Sequence, residues 1–366
     1  MDVITAALDN RLLFAYYSSM FNPKYSISDR LLANIKRIAS LITELNNRQF
    51  PKVVILALEK EARELSSFAS TSIEGNPLPL TEVKKILKNR PENLRDTERE
   101  VINYNQALEE LNLFIRVAGA EKIALITALI WGIHRTITAG LLDKKRSGHF
   151  RQEPVFVNDP RTGKTIYWPP DHQDVLPLMK ELLGFVNSNQ ARIDPLILAG
   201  IFHKQFAIIH PFMDGNGRTA RLIAKVLLAA LGLNTFNLFS FENYYNRNVG
   251  RYFEKVGVLG NYYEIKDKID FTDWLEYFTD GIIDELLRVS KELQAVSITP
   301  ESALKPYHLQ IINHINKHGF ITDKEYAVIT KRAKATRNKD FNKLIELGLI
   351  ERQGKGKSTY YKRKSG

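Results

Sequence analysis

The chain has 366 residues, which is enough for two or three domains with a sizeable core. Its 44 % hydrophobic and 25 % charged residues are ordinary for a soluble globular protein. Because the sequence contains no cysteine, disulfides, cysteine nucleophiles and thiolate metal sites are excluded, and a reducing cytoplasm fits.

Charge is distributed unevenly. The net charge is +11, and residues 301–366 contain 15 Lys and Arg against 6 Asp and Glu. Such a basic region predicts contact with a polyanion, or else a solvated surface that aids solubility. The start of the chain lacks a basic segment followed by an apolar run, so we expect no signal peptide. The apolar stretch 222–233 contains Lys225 and is shorter than the about 20 residues of a membrane span. We therefore expect a cytoplasmic protein that makes no membrane contact.

From the N-terminus, the pattern predicts one helix after another. Ser28 is a suitable N-cap for a segment whose apolar residues recur every three or four positions as far as Leu45. A second segment opens at Pro51 and ends near Gly75 and Pro77. Two further amphipathic helices are predicted over 98–117 and 122–138.

The pattern changes between residues 148 and 170. Val155 and Val157 precede a turn at 159–163, and Ile166 and Tyr167 follow it, which predicts a β-hairpin. Helices are then predicted from about Gln173 and over 195–209, 219–231 and 271–293.

The tail after a linker at 297–306 follows a different plan. A helix from Tyr307, a turn at 318–319, a short helix over 323–330 and a basic helix over 336–347 precede two strands at 349–352 and 359–361. This order resembles a winged helix-turn-helix. The fold class predicted is therefore mainly α, with one β-hairpin and a small C-terminal winged helix-turn-helix domain at 303–366.

Residues 210–221 hold the chemistry and read His-Pro-Phe-Met-Asp-Gly-Asn-Gly-Arg-Thr-Ala-Arg. Nucleotide transfer to a hydroxyl requires a phosphate cradle, neutralisation of charge and a base. The stretch Gly215-Asn216-Gly217, just before a predicted helix, can form a nest of N–H groups. Asp214 can hold Mg²⁺, which keeps several waters and needs only one carboxylate. Arg218 and Arg221 share a helix face and suit phosphates, and His210 is a suitable general base.

This stretch fits HPFx[DE]GNGRxxR, the signature of the Fic family, and the chain resembles that family. The resemblance implies a Fic-type helical bundle, with a catalytic domain at 98–295 after a helical region at 1–97. It implies transfer of AMP from ATP to a Tyr, Thr or Ser hydroxyl, with His210 as the base. It assigns Asn216 to the phosphates, and Arg218 and Arg221 to the β- and γ-phosphates. A related branch that phosphorylates its target has lysine where this chain has Gly217.

A second motif lies upstream. Residues 70–75, Ser-Thr-Ser-Ile-Glu-Gly, resemble the inhibitory motif [ST]xxxE[GN] of self-restrained Fic proteins. The resemblance implies that Glu74, supported by Ser70 and Gly75, pairs with Arg221 and blocks the γ-phosphate site. Taken alone, Glu74 would be read as an exposed carboxylate near a turn.

The hairpin resembles the Fic flap, which binds a target segment along a strand edge. The residues predicted for flap and target docking are Gly148, Phe150, Arg151, Val157 and Tyr167. A purely structural hairpin is the alternative. For the nucleotide base we predict Asn248 and Tyr252, although the spacing there departs from the family's usual pattern. His203 is predicted to be a core histidine, and His134, His149 and His172 show no metal-ligand spacing.

The basic tail has two interpretations. DNA contact through phosphates is one, and a protein-binding or dimerising module, including a homodimer, is the other. The residues predicted to touch DNA are Lys331, Arg332, Lys334, Arg337, Lys339, Lys355 and Lys357.

Two classes of function follow. The first is a self-inhibited, Mg²⁺-dependent protein adenylyltransferase that acts on a target protein and possibly on itself. The alternative is a DNA-binding regulator whose Fic domain senses nucleotides. Transfer of another phosphate-containing group, or removal of AMP, stays open within the enzyme class.

Overall fold

The computed structural model describes residues 21–47, 52–119, 123–159, 162–232, 238–295 and 304–364. The chain divides into two compact units, Met1–Asn47 with Glu61–Val289 and Arg48–Lys60 with Ser290–Gly366. The predicted helix starts at Pro51 and residue 122, part of the hairpin turn and most of the linker lie outside the described residues. Among the helices described, none combines the length and apolar character needed to cross a membrane.

The helices of the first unit, two of which extend into the second, follow in chain order. They are α1 Asp29–Asn46, α2 Lys52–Ile73, α3 Leu80–Asn89, α4 Asp96–Ala118, α5 Thr127–Ile137, α6 His172–Asn189, α7 Pro195–Ile209, α8 Asn216–Leu228, α9 Phe241–Asn246, α10 Val249–Val256, α11 Tyr262–Ile265 and α12 Thr272–Ala295. Short 3₁₀ turns follow at Ala229–Leu231 and Lys266–Lys268. The mainly helical prediction is confirmed.

The core of this unit is built on α7 and α8. Nearly every side chain of both helices is buried, which marks them as central rather than amphipathic surface helices. Asp194 caps α7 by accepting from the Leu196 N–H at 2.8 Å, and Pro195 occupies the first helical position. The signature loop joins the end of α7 to the start of α8. The candidate site is therefore attached to two central, buried helices of the unit.

The hairpin is confirmed and is extended by a strand that the sequence did not predict. Strand β1 Val157–Asn158 pairs antiparallel with β2 Thr165–Trp168, and β2 pairs in parallel with β3 Gly260–Asn261. Tyr167 lies opposite Val157 on one side and Gly260 on the other. A strand of two residues shows no alternation in the sequence, so β3 could not be recognised there.

Helix boundaries differ from the predictions in three ways. The predicted 122–138 helix begins at Thr127, because Ile126 is extended. Helices α3, α9, α10 and α11 were not predicted. Helix α8 begins at Asn216 rather than near residue 219, because Gly215 serves as its N-cap with a φ of 76°. The Asn-Gly-Arg segment of the signature is thus helical and not part of the preceding loop.

The second unit confirms the predicted order of three helices and two strands. It contains α13 Pro306–His318, α14 Asp323–Ile329, α15 Lys334–Glu346, β4 Ile350–Gln353, a 3₁₀ turn at Gly356–Ser358 and β5 Tyr360–Arg363. Ile321 adds an isolated bridge to Tyr361 at the edge of the β4–β5 pair. The second unit has its own hydrophobic core, in which the rings of Phe341 and Tyr361 stack with their centroids 3.9 Å apart.

Candidate active site

His210 closes α7 and opens the signature loop. Its φ is 51°, a left-handed conformation that costs energy for a residue with a side chain. Its Nδ1 lies 3.2 Å from the Ala207 carbonyl oxygen, so Nδ1 carries the hydrogen and donates it. The lone pair is therefore on Nε2. Burial lowers the pKa of His210 below its ordinary value, so the imidazole is neutral near pH 7.

Arg151 holds the backbone of this strained residue. Its Nε donates to the His210 carbonyl at 2.8 Å, its Nη2 donates to the Pro170 carbonyl at 2.5 Å, and its backbone N–H donates to the Pro211 carbonyl at 2.9 Å. Arg151 is buried. Its side chain is therefore not available to a target, and main-chain docking of a target at the flap edge stays a prediction. A buried guanidinium with carbonyl partners ties the flap to the signature loop instead.

His134 supports the loop from α5. Its ring stacks on Phe212 at 3.6 Å, its Nδ1 accepts the Gly148 N–H at 2.9 Å, and its Nε2 donates to the Asp214 carbonyl at 2.9 Å. Burial lowers the pKa of His134 to about 4, so the ring stays neutral. Gly148 is buried, and a Cβ there would lie 2.9 Å from the Arg135 Nε, so glycine allows close packing at this position. The sequence contained no signal for this role of His134.

Asn216 closes the loop on itself. Its Oδ1 accepts the Phe212 N–H and its Nδ2 donates to the Phe212 carbonyl, both at 2.9 Å. Asn216 is only 3 % exposed. Its side chain is thus bonded to the loop. The resemblance implied a contact with the phosphates, but the side chain is not turned towards a phosphate. Its N–H still belongs to the first turn of α8, where unpaired donors face outward.

Asp214 and Arg218 form the charged pair of the site. Arg218 Nη2 lies 2.9 Å from Asp214 Oδ2, and its Nη1 lies 3.4 Å from Glu100 Oε1. Burial alone would raise the pKa of the Asp214 carboxyl, but the Arg218 charge and the Gly215 N–H outweigh it and lower that pKa. Asp214 is therefore ionised near neutral pH. Glu100, on α4, was not predicted as a site residue.

The donor set suits a magnesium ion that is bound largely by phosphates. The Asp214 side chain is 54 % exposed and each oxygen keeps a free lone pair beside its present hydrogen bond. Across the described residues, no group of three His, Asp or Glu side chains could hold a metal alone. A single ionised carboxylate fits Mg²⁺, which retains waters and takes its other ligands from a nucleotide.

Arg221 is fully buried and tied to α2. Its Nε donates to Ser70 Oγ at 2.8 Å, and its Nη2 donates to the Ser70 carbonyl at 2.9 Å and to Glu74 Oε1 at 2.7 Å. Its Nη1 donates to the Tyr252 hydroxyl at 3.3 Å. Burial would lower the pKa of Arg221, but the neighbouring Glu74 carboxylate raises it, so the guanidinium is always charged.

Glu74 lies against the start of α8. It follows Ile73, the last residue of α2, and Gly75 with a φ of 95° turns the chain away. A Cβ added to Gly217 would overlap Glu74 Oε1 and approach Arg221 Nη1 to 2.9 Å. The Glu74 side chain is 26 % exposed and that of Arg221 is 0 % exposed, so the carboxylate lies nearer the surface than the guanidinium that it binds. Ser70, Glu74 and Arg221 are thus brought together as predicted.

A second set of polar contacts holds α2 against α8. Lys225 Nζ donates to Ser66 Oγ at 3.1 Å and pairs with Glu242 at 3.1 Å. The Tyr104 hydroxyl donates to the same carboxylate at 2.9 Å. Ser66 and Lys225 lie one helical turn from Ser70 and Arg221 respectively, so the two contacts follow one another along the helices. The sequence did not reveal this support for the end of α2 that presents Glu74.

The predicted flap residues face the body of the unit. The Tyr167 hydroxyl donates to the Ile208 carbonyl at 2.9 Å, and Val157 packs in the same small core. Phe150 packs on Phe212, with ring centroids 5.3 Å apart. These side chains hold the flap in place, so a target could meet only their backbone. Among the described residues of the flap, the large hydrophobic side chains that are exposed are Phe156 and Trp168.

The two residues predicted to bind the nucleotide base lie in different environments. Asn248 is exposed and caps α10 by accepting the Arg251 N–H at 3.1 Å. Tyr252 is only 2 % exposed, and its hydroxyl contacts Arg221 and His203. A buried ring offers no face to a nucleotide base, so the prediction for Tyr252 is corrected. His203 is buried, as predicted, but it is bonded to the site.

In the second unit, two of the predicted DNA contacts are occupied by carboxylates. Arg332 donates from Nε and Nη2 to the two oxygens of Asp340 at 2.8 and 3.1 Å. Arg337 donates in the same way to Asp323 at 2.8 and 2.9 Å. Both arginines are thereby structural, which corrects the prediction for them. The exposed lysines of the set are Lys331, Lys334, Lys339 and Lys355, and the side chain of Lys357 lies outside the described ones.

Replacing Arg337 with alanine is expected to loosen α14, because Asp323 in its first turn loses a two-pronged partner. The measurement is amide hydrogen exchange of residues 323–329 in the full chain, which should become several-fold faster. Lys339→Ala, on the same helix as Arg337, is the control and should leave exchange unchanged. Unchanged exchange in Arg337→Ala, together with weaker duplex binding, would restore the DNA-contact interpretation.

The chain is similar to known proteins in sequence and in fold. The profile of the Fic/DOC family matches residues 124–228, which include α5, the flap, the signature loop and α8. Two similar proteins are both named protein adenylyltransferase Fic. The one from Aedes aegypti is 29 % identical over 238 residues, 59 % of this chain and 45 % of its own length. The one from Culex quinquefasciatus is 30 % identical over 250 residues, 63 % of this chain and 46 % of its own. The matches therefore span less than half of these relatives.

Solved structures share the fold. A Fic family protein from Desulfovibrio desulfuricans superposes with a TM-score of 0.66 and 20 % identity, covering 94 % of this chain and 98 % of that one. Residues 134–508 of Fic-1 from C. elegans superpose with a TM-score of 0.57 and 21 % identity, covering 73 % and 74 %. The matching profile shows a Fic domain at residues 124–228, and the complete signature and the fold shared with the solved structures agree with it.

Proposed function

We propose that the protein is a self-inhibited adenylyltransferase that moves AMP from ATP to a Tyr, Thr or Ser hydroxyl of a target protein. The observation that carries the proposal is the 2.7 Å contact between Glu74 and Arg221 beside an otherwise complete signature site. A carboxylate occupying the arginine of an intact site indicates restraint of an activity. The names of the two insect relatives support adenylyl transfer as that activity.

His210 acts as the general base in this proposal. Its Nε2 lone pair takes the proton of the target hydroxyl as the hydroxyl oxygen attacks the α-phosphorus of ATP. The new oxygen–phosphorus bond forms while the bond from the α-phosphorus to the bridging β-oxygen breaks, and pyrophosphate leaves. Arg151 keeps the His210 backbone in place, and Ala207 fixes the tautomer. No covalent enzyme intermediate is needed.

The start of α8 and Arg221 receive the phosphates. The N–H groups of the first turn and the positive end of the helix dipole favour anions, and Gly215 and Gly217 allow close approach. Arg221 supplies a fixed charge for the terminal phosphates. Asp214 would hold Mg²⁺, which neutralises phosphate charge when bound. Arg218 keeps the Asp214 carboxylate ionised and oriented.

Glu74 restrains this arrangement by competition. Because Arg221 is buried, its positive charge requires an anionic partner, which is either Glu74 or a phosphate. Its Nη2 cannot donate the same N–H to Glu74 and to a phosphate oxygen. Glu74 Oε1 also fills the space above Gly217, into which a phosphate would come. ATP must therefore displace the carboxylate or bind with its terminal phosphate misplaced.

The pH dependence of the released enzyme follows from the base. Burial lowers the pKa of His210, so the active, neutral imidazole persists below its ordinary pKa of 6.5. We expect the kcat/KM of Glu74→Gly to rise with pH, to reach half of its maximum below pH 6.5, and to stay level towards pH 8. A rate profile against pH, with substrate well below KM, measures this. A midpoint above pH 7 would contradict the assignment of a neutral, buried base.

The test of the proposed function is chemical identification of the product. Glu74→Gly and wild-type protein are incubated with ATP and Mg²⁺ in a soluble cell extract, and modified peptides are mapped by mass spectrometry. Peptides that carry AMP on Tyr, Thr or Ser, enriched with Glu74→Gly, are the expected result. Phosphorylated peptides without AMP would show a kinase, and no modified peptide would overturn the transferase proposal.

A further inference from the structure

Arg221 keeps part of its hydrogen bonding when Glu74 is absent. A guanidinium has five N–H groups. In this structure Ser70 accepts from Nε and Nη2, Glu74 accepts from Nη2, and Tyr252 accepts from Nη1. Withdrawal of Glu74 leaves one free N–H on each terminal nitrogen. That is the number needed for a two-pronged contact with a phosphate.

Tyr252 stands between Arg221 and a buried histidine. Because Arg221 can only donate, the Tyr252 oxygen accepts from it, and the hydroxyl hydrogen must point elsewhere. His203 Nε2, 3.0 Å from that oxygen, is the acceptor on the other side. Burial, and next the charge of Arg221, hold the pKa of His203 well below its usual range. The imidazole is therefore neutral, with its hydrogen on Nδ1.

This histidine is costly where it lies. It is fully buried, its ring meets Trp274 edge-on at 5.1 Å, and its Nδ1 has no hydrogen-bond partner among the described residues. An unpaired buried donor destabilises a fold, so an aliphatic residue would suit this core better. The use of Nε2 by Tyr252 is the one contact that explains an imidazole here.

We propose that His203 and Tyr252 are positioning residues, which hold Arg221 Nη1 in place so that the guanidinium stays aligned for the terminal phosphates of ATP after Glu74 withdraws. His203 accepts the Tyr252 hydrogen and so turns a lone pair of the hydroxyl towards Arg221. Without this pair, and with Glu74 withdrawn, Ser70 on α2 would be the remaining hydrogen-bond partner of Arg221 among the described residues. The inference rests on the proposed function in assigning Arg221 to the phosphates beyond the α-phosphate.

The experiment uses the full chain with Glu74→Gly as the background and measures the Kd of ATP and of AMP by titration calorimetry. Tyr252→Phe and His203→Leu remove the two contacts, and His203→Gln offers another acceptor. Tyr245→Phe is the matched control, because the Tyr245 ring stacks on Tyr252 at 4.9 Å and its buried hydroxyl bonds to nothing among the described residues.

Tyr252→Phe and His203→Leu are each expected to raise the Kd of ATP by about tenfold, the effect of losing one hydrogen bond to a charged group. The Kd of AMP is expected to change by less than about twofold. His203→Gln is expected to recover part of the ATP affinity, and Tyr245→Phe to change neither nucleotide. Equal weakening of ATP and AMP, or no change in either, would overturn the inference. A failure of AMP transfer in Glu74→Gly would overturn the proposed function. The positioning role would still be tested, because it is judged from the ratio of the Kd values for ATP and AMP.

Discussion

Glu74→Gly is expected to raise the rate of AMP transfer by at least about tenfold, which corresponds to roughly 1.4 kcal/mol in the activation free energy. The reason is that the mutation frees the Arg221 Nη2 donor and the space above Gly217 at once. A partly buried pair of this kind can be worth several kcal/mol, so an increase of about a hundredfold is within reach. Initial rates at fixed target concentration, measured from ATP well below KM to saturating ATP, give the effect.

Two variants separate the carboxylate from the loop that presents it. Glu74→Gln keeps an acceptor at Oε1 without the charge, and an intermediate rate is expected. Ser72→Gly introduces the same flexibility into the last turn of α2 at a side chain that is not at the site, and a rate near that of wild type is expected. If Ser72→Gly activates as much as Glu74→Gly, loosening of the helix end would explain activation, and the competition for Arg221 would be wrong.

His210→Ala in the Glu74→Gly background is expected to lower the rate by a factor of about 10² to 10⁴, the usual contribution of a positioned base. Affinity for ATP should change little, because His210 contacts the hydroxyl nucleophile and not the phosphates. Single-turnover rates and ATP titrations on the same double variant check both statements.

His149→Ala is the matched control for the loss of an imidazole. His149 is exposed beside Trp131, with ring centroids 6.1 Å apart. A rate within about threefold of the background is expected for it, since surface substitutions seldom disturb a site. Retention of most of the activity by His210→Ala would show that another group removes the proton.

The sequence predicted those parts of the site that lie close together along the chain. His210, Asp214, Arg218 and Arg221 fall within twelve positions, and their order alone indicates the chemistry. Glu74 could be proposed because a second short motif accompanied the first. Its contact with Arg221, across 147 positions, required the fold.

The supporting residues could not be predicted, because their roles depend on tertiary contacts. Arg151 binds the carbonyl of a residue 59 positions away, and His134 binds a carbonyl 80 positions away. A lone arginine or histidine in an apolar pattern carries no sign of such a partner. The same holds for Tyr252, which a pattern of aromatic residues assigned to the nucleotide base and the fold places beneath Arg221.

Secondary structure followed a similar rule. The long helices were recognised from repeated apolar spacing. Helix α9 has six residues and α10 has eight, too few turns to display a period. The start of α8 was misplaced because glycine and asparagine normally indicate a loop, whereas here Gly215 caps the helix and Asn216 begins it.

The most direct test of the account follows the two ends of ATP. Wild type, Glu74→Gly and the Glu74→Gly/His210→Ala double variant are each incubated with target extract, Mg²⁺ and ATP labelled at either the α- or the γ-phosphate. The account predicts protein-bound label from the α-phosphate alone, strong in Glu74→Gly, weak in wild type and lost in the double variant. Protein-bound label from the γ-phosphate, or α-label of equal strength in all three proteins, would contradict it.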